Sequence, residues 1–321
     1  MPNLRRAFLT VLAHAVSAVA MLSCDRASDA PHADSVTAVP SETASVDSQR
    51  PSVRSGWDGT AGPVLLVASE RPEAAVVVFP EIQGEHAAAE LQFDTASIRQ
   101  SAANLITRAG QLIPVTLGGG AEPAEDEDCP GWPMLRVATP SGALSPWSIG
   151  LLSARLTPIP LDSIGSLSTA DSSALVAEIA RLASAIPVHD NSRPLRGLPF
   201  SVQDVRQFRT VSGDVIVARV VRRVHEEANP LEERTMLIAE RDSADRPNIR
   251  GRYVTAFYQR SVGHEEMLEG SEVLAALVRR NTSRPILVVA RESEAGVRYT
   301  FIERISKAAW RVKWTSALVR C

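Results

Sequence analysis

The sequence predicts a β-rich α+β protein, built mainly of antiparallel sheets with few helices. Two observations carry that expectation. Short Val-rich runs recur between polar, turn-forming connectors, such as VVVF from residue 76 and LVVARE from residue 287; this is the pattern of pleated strands. A clear helical period with both a start and a stop occurs at residues 168–186. There Leu175, Ile179 and Leu182 recur at helical spacing, Thr169 or Asp171 can cap the first turn, and Pro187 ends it.

Taken in order, the folded body is expected to begin near Trp57. PVLLVAS (63–69) and AAVVVFPEI (74–82) read as a hairpin, split by the run Glu70-Arg71-Pro72-Glu73. A helix is expected near residues 95–108. QLIPVTL (111–117) and MLRVATP (134–140) read as strands, and 147–161 as an extended stretch that Pro158 and Pro160 restrict to an edge or an end. After the 168–186 helix, a Pro-containing connection at 191–198 leads to three strands: DVIVARVVRRV (214–224), RTMLIAERDS (234–243) and RYVTAFYQRS (252–261). A short helix is expected at 272–280, with Val273, Leu274, Leu277 and Val278 on one side. Strands at 285–292, 297–305 and 310–320 follow, joined by the short turns SEAG and SKAA of an antiparallel meander. The C-terminal half therefore reads β-β-β-α-β-β-β. LIAERDS…RYVTAFYQR faintly resembles VVARES…RYTFIER, which raises the reading of a duplicated hairpin beside that of chance.

The expected organisation is a signal peptide at 1–23, a disordered tether at 24–56, an N-terminal β-rich subdomain ending in a helix at 57–190, and a C-terminal antiparallel α+β subdomain at 191–321. Arg5 and Arg6 precede an apolar run, 7–20, that is too short to span a bilayer and has the flanks of an export signal. Residues 25–55, rich in Ser, Ala, Asp, Thr and Pro without an apolar period, read as the tether. Two cleavage points are open. Ala18-Val19-Ala20 is an A-x-A site. Leu22-Ser23-Cys24 resembles the end of a bacterial lipoprotein signal, with Met21 and Leu22 where Leu and a small residue are usual; that resemblance implies lipid on Cys24. Arg5-Arg6-Ala7-Phe8-Leu9 resembles the twin-arginine export signal.

Cysteine parity favours the lipid. The chain has three Cys; with Cys24 lipidated, Cys129 and Cys321 remain and can pair in an oxidising compartment. Such a bridge would pin the last residue and, in the chain-entropy model, contributes about 4–5 kcal/mol.

The formal net charge of −3 becomes −5 when residues 1–23, holding two Arg and no acid, are removed. That balance argues against a nucleic-acid partner. Among 34 basic residues only Lys307 and Lys313 are Lys; the bias permits phosphate recognition but reads first as genome composition. No G-x-S-x-G elbow, Walker A loop or C-x-x-C motif is present, and no cofactor is expected. His225-Glu226-Glu227 and His264-Glu265-Glu266 lack the second His of a zincin, and no metal site is expected. Four carboxylates flank a tight turn at 226–233; His225, Glu226, Glu227, Glu232 and Glu233 are candidate contacts for a cation or ligand, against the simpler reading of a solvated hairpin tip. The acidic run 125–128 beside Cys129 reads the same way. Trp310 and Trp314, alternating with Val312, read as a core-facing pair before a binding platform.

The functional expectation is an exported, lipid-anchored envelope protein, held to the membrane through Cys24, with a binding or scaffolding role toward an unidentified envelope protein or ligand. The alternative is a periplasmic or surface hydrolase with a site of dispersed His, Glu and Asp. The two differ in a testable way: the hydrolase calls for a carboxyl or His of displaced pKa inside a concave site.

Overall fold

The structure, a computed structural model, describes residues 55–68, 71–81, 95–107, 109–122, 132–139, 146–152, 155–188, 190–224, 230–242, 251–280 and 282–316. Val-rich runs pair where the sequence places them. β1 (Val64–Ala68) and β2 (Arg71–Val78) form an antiparallel hairpin from Val64↔Val78 to Ala68↔Arg71. With β3 (Ala102–Ile106), β4 (Leu112–Gly120), β5 (Met134–Ala138) and β6 (Ile149–Leu151) they close a barrel in the order β1-β2-β5-β4-β3-β6. Short β6 is the closing stave, pairing with β1 on one side and β3 on the other. Gly150 makes closure sterically feasible: a Cβ there would lie 2.7 Å from Leu105 Cδ2 and 3.0 Å from Leu65 Cβ.

β1, β2 and β6 are buried on both faces, whereas β4 alternates between a buried lumen side and a more exposed outer side. Leu65, Val77, Leu105, Leu117 and Leu135 fill the lumen, while Val64, Leu66, Val76 and Val78 point outward into a second core. Burial on both faces explains why β1 and β2 read as continuous apolar runs rather than as alternation.

The rest of the chain makes two five-stranded antiparallel sheets. The first has the order β12-β11-β10-β9-β8: β8 (Asp162–Ser163), β9 (Ser201–Thr210), β10 (Gly213–Arg223), β11 (Leu231–Asp242) and β12 (Val254–His264). The second has the order β16-β15-β14-β13-β7: β7 (Leu156–Ile159), β13 (Gly270–Arg279), β14 (Pro285–Ser293), β15 (Gly296–Ser306) and β16 (Ala309–Thr315). Each is a four-strand meander extended at its edge by a short strand from the 156–163 segment.

The layers follow from strand alternation. Val215, Val217, Met236 and Ile238 of the first sheet meet Leu287, Val289 and Ile302 of the second. Their neighbours in sequence face the opposite way. Ile216, Ala218 and Leu237 pack under α1 (Thr169–Ser184) through Ile179, Leu182 and Ala183. Ile286, Val288 and Phe301 pack on the outside of the barrel. The stack is helix, first sheet, second sheet, barrel. Full burial of each large aliphatic side chain contributes about 1.5–3 kcal/mol. All described residues belong to one compact unit, and the segment before residue 190 pairs with strands after it through β7 and β8.

The β-rich, antiparallel fold class is as the sequence predicts, and the first hairpin, α1 and the late meander form where expected. Four local expectations are corrected. The helix near 95–108 is one turn, 96–100, followed by β3: Gln100 takes a left-handed backbone (φ 64°) and its N–H donates to Leu117 O at 2.8 Å, turning the chain into the barrel. The helix at 272–280 is strand β13. A bulge between Val273 and Ala275 breaks period-2 alternation there, and burial on both faces removes the remaining distinction; among the described residues the two meanders after β9 are uninterrupted by an α-helix. Ser168, not Thr169 or Asp171, caps α1: its Oγ accepts from Asp171 N at 3.2 Å and donates to Asp171 Oδ2 at 2.7 Å. Trp310 and Trp314 do not share a face. Bulges in the β15–β16 pairing send Trp310 into the core between the sheets and Trp314 into the core against the barrel.

The faint internal echo falls on β11–β12 and β14–β15, the third and fourth strands of one meander and the second and third of the other, so it does not match equivalent positions. The signal, residues 24–54 of the tether (Cys24 included), Cys129, Cys321, the acidic run 125–128, and His225, Glu226 and Glu227 lie outside the described residues; Ser55 and Gly56, assigned to the tether, belong to the folded body, their N–H groups donating to Glu81 O and Lys313 O. No helix among the described residues is long and apolar enough to cross a membrane.

Candidate functional site

The apolar sandwich between the two sheets gives out at one end, and every strand there changes character in the same direction. On the sandwich face of β10, Val215 and Val217 are followed by Arg219 and Arg223. On β11, Ile238 and Met236 give way to Arg234 and Glu232. β12 runs from Phe257 to Gln259 and Ser261, β14 from Val289 to Arg291, and β13 from Val273 to Ser271. The register brings these ends together: Arg219↔Met236, Arg223↔Glu232, Arg234↔Ser261 and Ser271↔Arg291. The result is a polar cleft of about 790 Å³ between the sheets, whose lining contains six arginines and three glutamates. That volume lies in the range of small-molecule sites.

The charges are partly compensated. Glu232, buried, is ion-paired with Arg234 at 3.0 Å and Arg223 at 3.5 Å. Arg234 also donates to the carbonyls of Leu268 at 3.1 Å and Glu265 at 3.4 Å, which fastens the turn between β12 and β13. Arg291 pairs with Glu269. Arg219 reaches Asp204 at 3.8 Å, beyond hydrogen-bond length. Buried hydrogen-bonding atoms are left over: among the described residues, Arg219 Nε, Arg291 Nε and Gln259 Oε1 have no hydrogen-bond partner.

Behind this wall, on the helix-covered face, lies a second ion group. Arg222 donates to Glu233 Oε2 from Nε (3.1 Å) and Nη2 (2.7 Å), and Arg260 Nε lies 3.0 Å from Glu233 Oε1. All three side chains are at most 7 % exposed. Their guanidinium groups stand 4.7 Å from the Phe200 ring centroid and 5.8 Å from that of Tyr258, so aromatic faces share the cationic charge. Arg260 Nε and Nη1 nonetheless lack a hydrogen-bond partner among the described residues.

Of the residues singled out in the sequence as cation or ligand contacts, only Glu232 and Glu233 are described. They are not at a solvated tip. β11 begins at Leu231, earlier than the sequence reading, and buries both carboxylates as counter-ions of arginines. As neighbours on a strand they face opposite sides of the sheet, so they cannot grip one ion together. Among the described residues no group of three or more His, Cys, Asp or Glu is arranged to hold a metal. The arginines are what the sequence reading missed. Their signal was the strand-end pattern ARVVRR opposite LEER, in which apolar positions of one face become charged.

Protonation is displaced at groups outside the cleft. Burial raises the Asp214 carboxyl, but bonds from Arg241 and Arg209 override it and hold the group below its ordinary value. Glu240 is likewise pushed up by burial and brought below its ordinary value by Arg304, Ala308 N and Trp310. Tyr299, desolvated and near Glu292, is pushed up to about 12. The cleft itself offers clustered guanidinium groups with directional N–H donors, a chemistry suited to carboxylate or phosphate oxygens.

Comparison with protein-family models, curated proteins and solved structures gives no match to this chain.

Proposed function

We propose that the chain is an exported, lipid-anchored envelope protein that binds a ligand in the cleft between its two sheets. The observation that carries this is the cleft itself, concave, of small-molecule size and lined by more arginines than carboxylates. The anchor part of the reading rests on the sequence around Cys24 and on cysteine parity, which leaves Cys129 and Cys321 as the expected disulfide pair once Cys24 carries lipid.

The test is native mass spectrometry of detergent-extracted protein without reductant. The expected spectrum shows a chain beginning at Cys24 with added lipid, lighter by the hydrogens of one disulfide, and a retained small molecule. A chain beginning at Met21 with free thiols overturns the anchor and the bridge. A spectrum with no adduct after extraction from whole envelopes counts against the binding role.

A further inference from the structure

We infer that the cleft takes a compact oxyanion, a small molecule bearing carboxylate or phosphate groups, clamped between Arg219 of the first sheet and Arg291 of the second. This rests on the binding reading above and goes beyond it in naming the ligand class and the residues that hold it.

Three features converge. First, donor capacity is left over on the sandwich face: of its arginines, Arg219, Arg223, Arg234 and Arg291, the buried Nε of both Arg219 and Arg291 is without a hydrogen-bond partner among the described residues. A buried N–H left unpaired is costly, and an anionic oxygen is the group that satisfies it with charge assistance. Second, the two arginines are set on opposing walls. Arg219 follows Val217 on the sandwich face of β10, and Arg291 follows Val289 on the facing side of β14, so one ligand can be held from both sides. Third, their existing counter-ions leave capacity free. Asp204 stands 3.8 Å from Arg219 Nε, and Glu269 engages Arg291 through Nη2 rather than Nε. Ser261 and Ser271, on the same walls, add hydroxyl donors.

The experiment is calorimetric titration of the full mature chain with three probes separately: citrate, pyrophosphate and neutral maltose. The expected result is saturable binding of one citrate or pyrophosphate per chain, weakened by added salt, and no maltose binding. The tighter anion assigns carboxylate or phosphate as the source. The double variant Arg219→Gln/Arg291→Gln is expected to lose roughly tenfold or more in affinity, while Arg311→Gln, exposed on β16, leaves it unchanged. Melting of each variant without ligand separates lost binding from lost folding; if the double variant does not fold, Arg219→Lys, which keeps charge but not the fork, is expected to weaken binding in its place. Anion binding that survives these changes overturns the assignment to this cleft. If the native spectrum retains a small molecule but neither anion titrates, the oxyanion class falls and the binding reading stands. If nothing is retained and nothing titrates, both fall.

Discussion

Two arginine–carboxylate groups at opposite ends of the same sandwich behave differently. At one end Glu240 of β11 accepts from Arg304 Nε (2.7 Å) and Nη2 (2.8 Å), from Trp310 Nε1 (2.6 Å) and from Ala308 N (3.0 Å). Arg304 Nη1 also donates to Ser212 Oγ at 3.0 Å. Acceptor and donors match, and the group ties the first sheet to the second. At the other end the glutamates are also engaged, but arginine donors exceed them and buried N–H groups are left over. The residue types are the same. The difference is in the count of partners: a closed network is a strut, and an open one retains affinity for something not in the chain.

The largest expected effect breaks the strut. Glu240→Ala leaves Arg304, Trp310 Nε1 and Ala308 N without their acceptor, and by the measured behaviour of broken buried pairs costs about 4 kcal/mol; urea unfolding of the mature chain measures it. Glu233→Gln is expected to cost less, about 3 kcal/mol, because Phe200 and Tyr258 still face the two arginines. Here the comparison sharpens. Replacing all three partners by apolar residues (Arg222→Met, Glu233→Leu, Arg260→Met) is expected to restore stability to the wild-type level or above. A triple variant as unstable as Glu233→Gln would show that the group is a strut like Glu240.

Acid separates the two ends in a second way. The Glu240 carboxyl sits below its ordinary 4.5 when folded, so its contribution is complete above that value and is lost as the pH falls from there through the folded pKa. Asp214, also held low, adds to the same slope. Unfolding at pH 7 and at about pH 4 is expected to show a loss in the wild type that is smaller in Glu240→Gln. The smallest effects belong to side chains that are partly or largely exposed. Arg219→Gln, at a side chain 39 % exposed, is expected to cost under about 1 kcal/mol of stability. Arg209→Gln, 85 % exposed beside Asp214, should cost about 0.5 kcal/mol or less. A cleft arginine that proves as costly as Glu240 would mean that it holds the sheets together and is not free for a ligand.

Much of the strand content was legible because it is local. The hairpin β1–β2 and the meander β14–β16 have short polar turns between β-branched runs, and α1 has Ser168 before it and Pro187 after it. β9 was overlooked because its residues, SVQDVRQFRT, are mostly polar and only Val205 and Phe208 are buried. β13 was misread because a strand buried on both faces, with a bulge at Leu274, has no clean period. The cleft was illegible for a third reason. Its arginines lie on four strands scattered between residues 219 and 291, and nothing in the local pattern says that their ends coincide.

By itself, then, the sequence determined the β-rich character, most hairpins, the limits of α1 and the leader pattern around Cys24, since turns, caps and apolar runs act over a few neighbouring residues. The tertiary structure alone decided that the first six strands close through Gly150, that Trp310 and Trp314 enter different cores, that Glu232 and Glu233 are buried counter-ions, and which arginines meet across the sandwich. Those outcomes depend on register and layer order, because alternation assigns a side chain to one of two faces but only the packing of distant strands settles what each face meets.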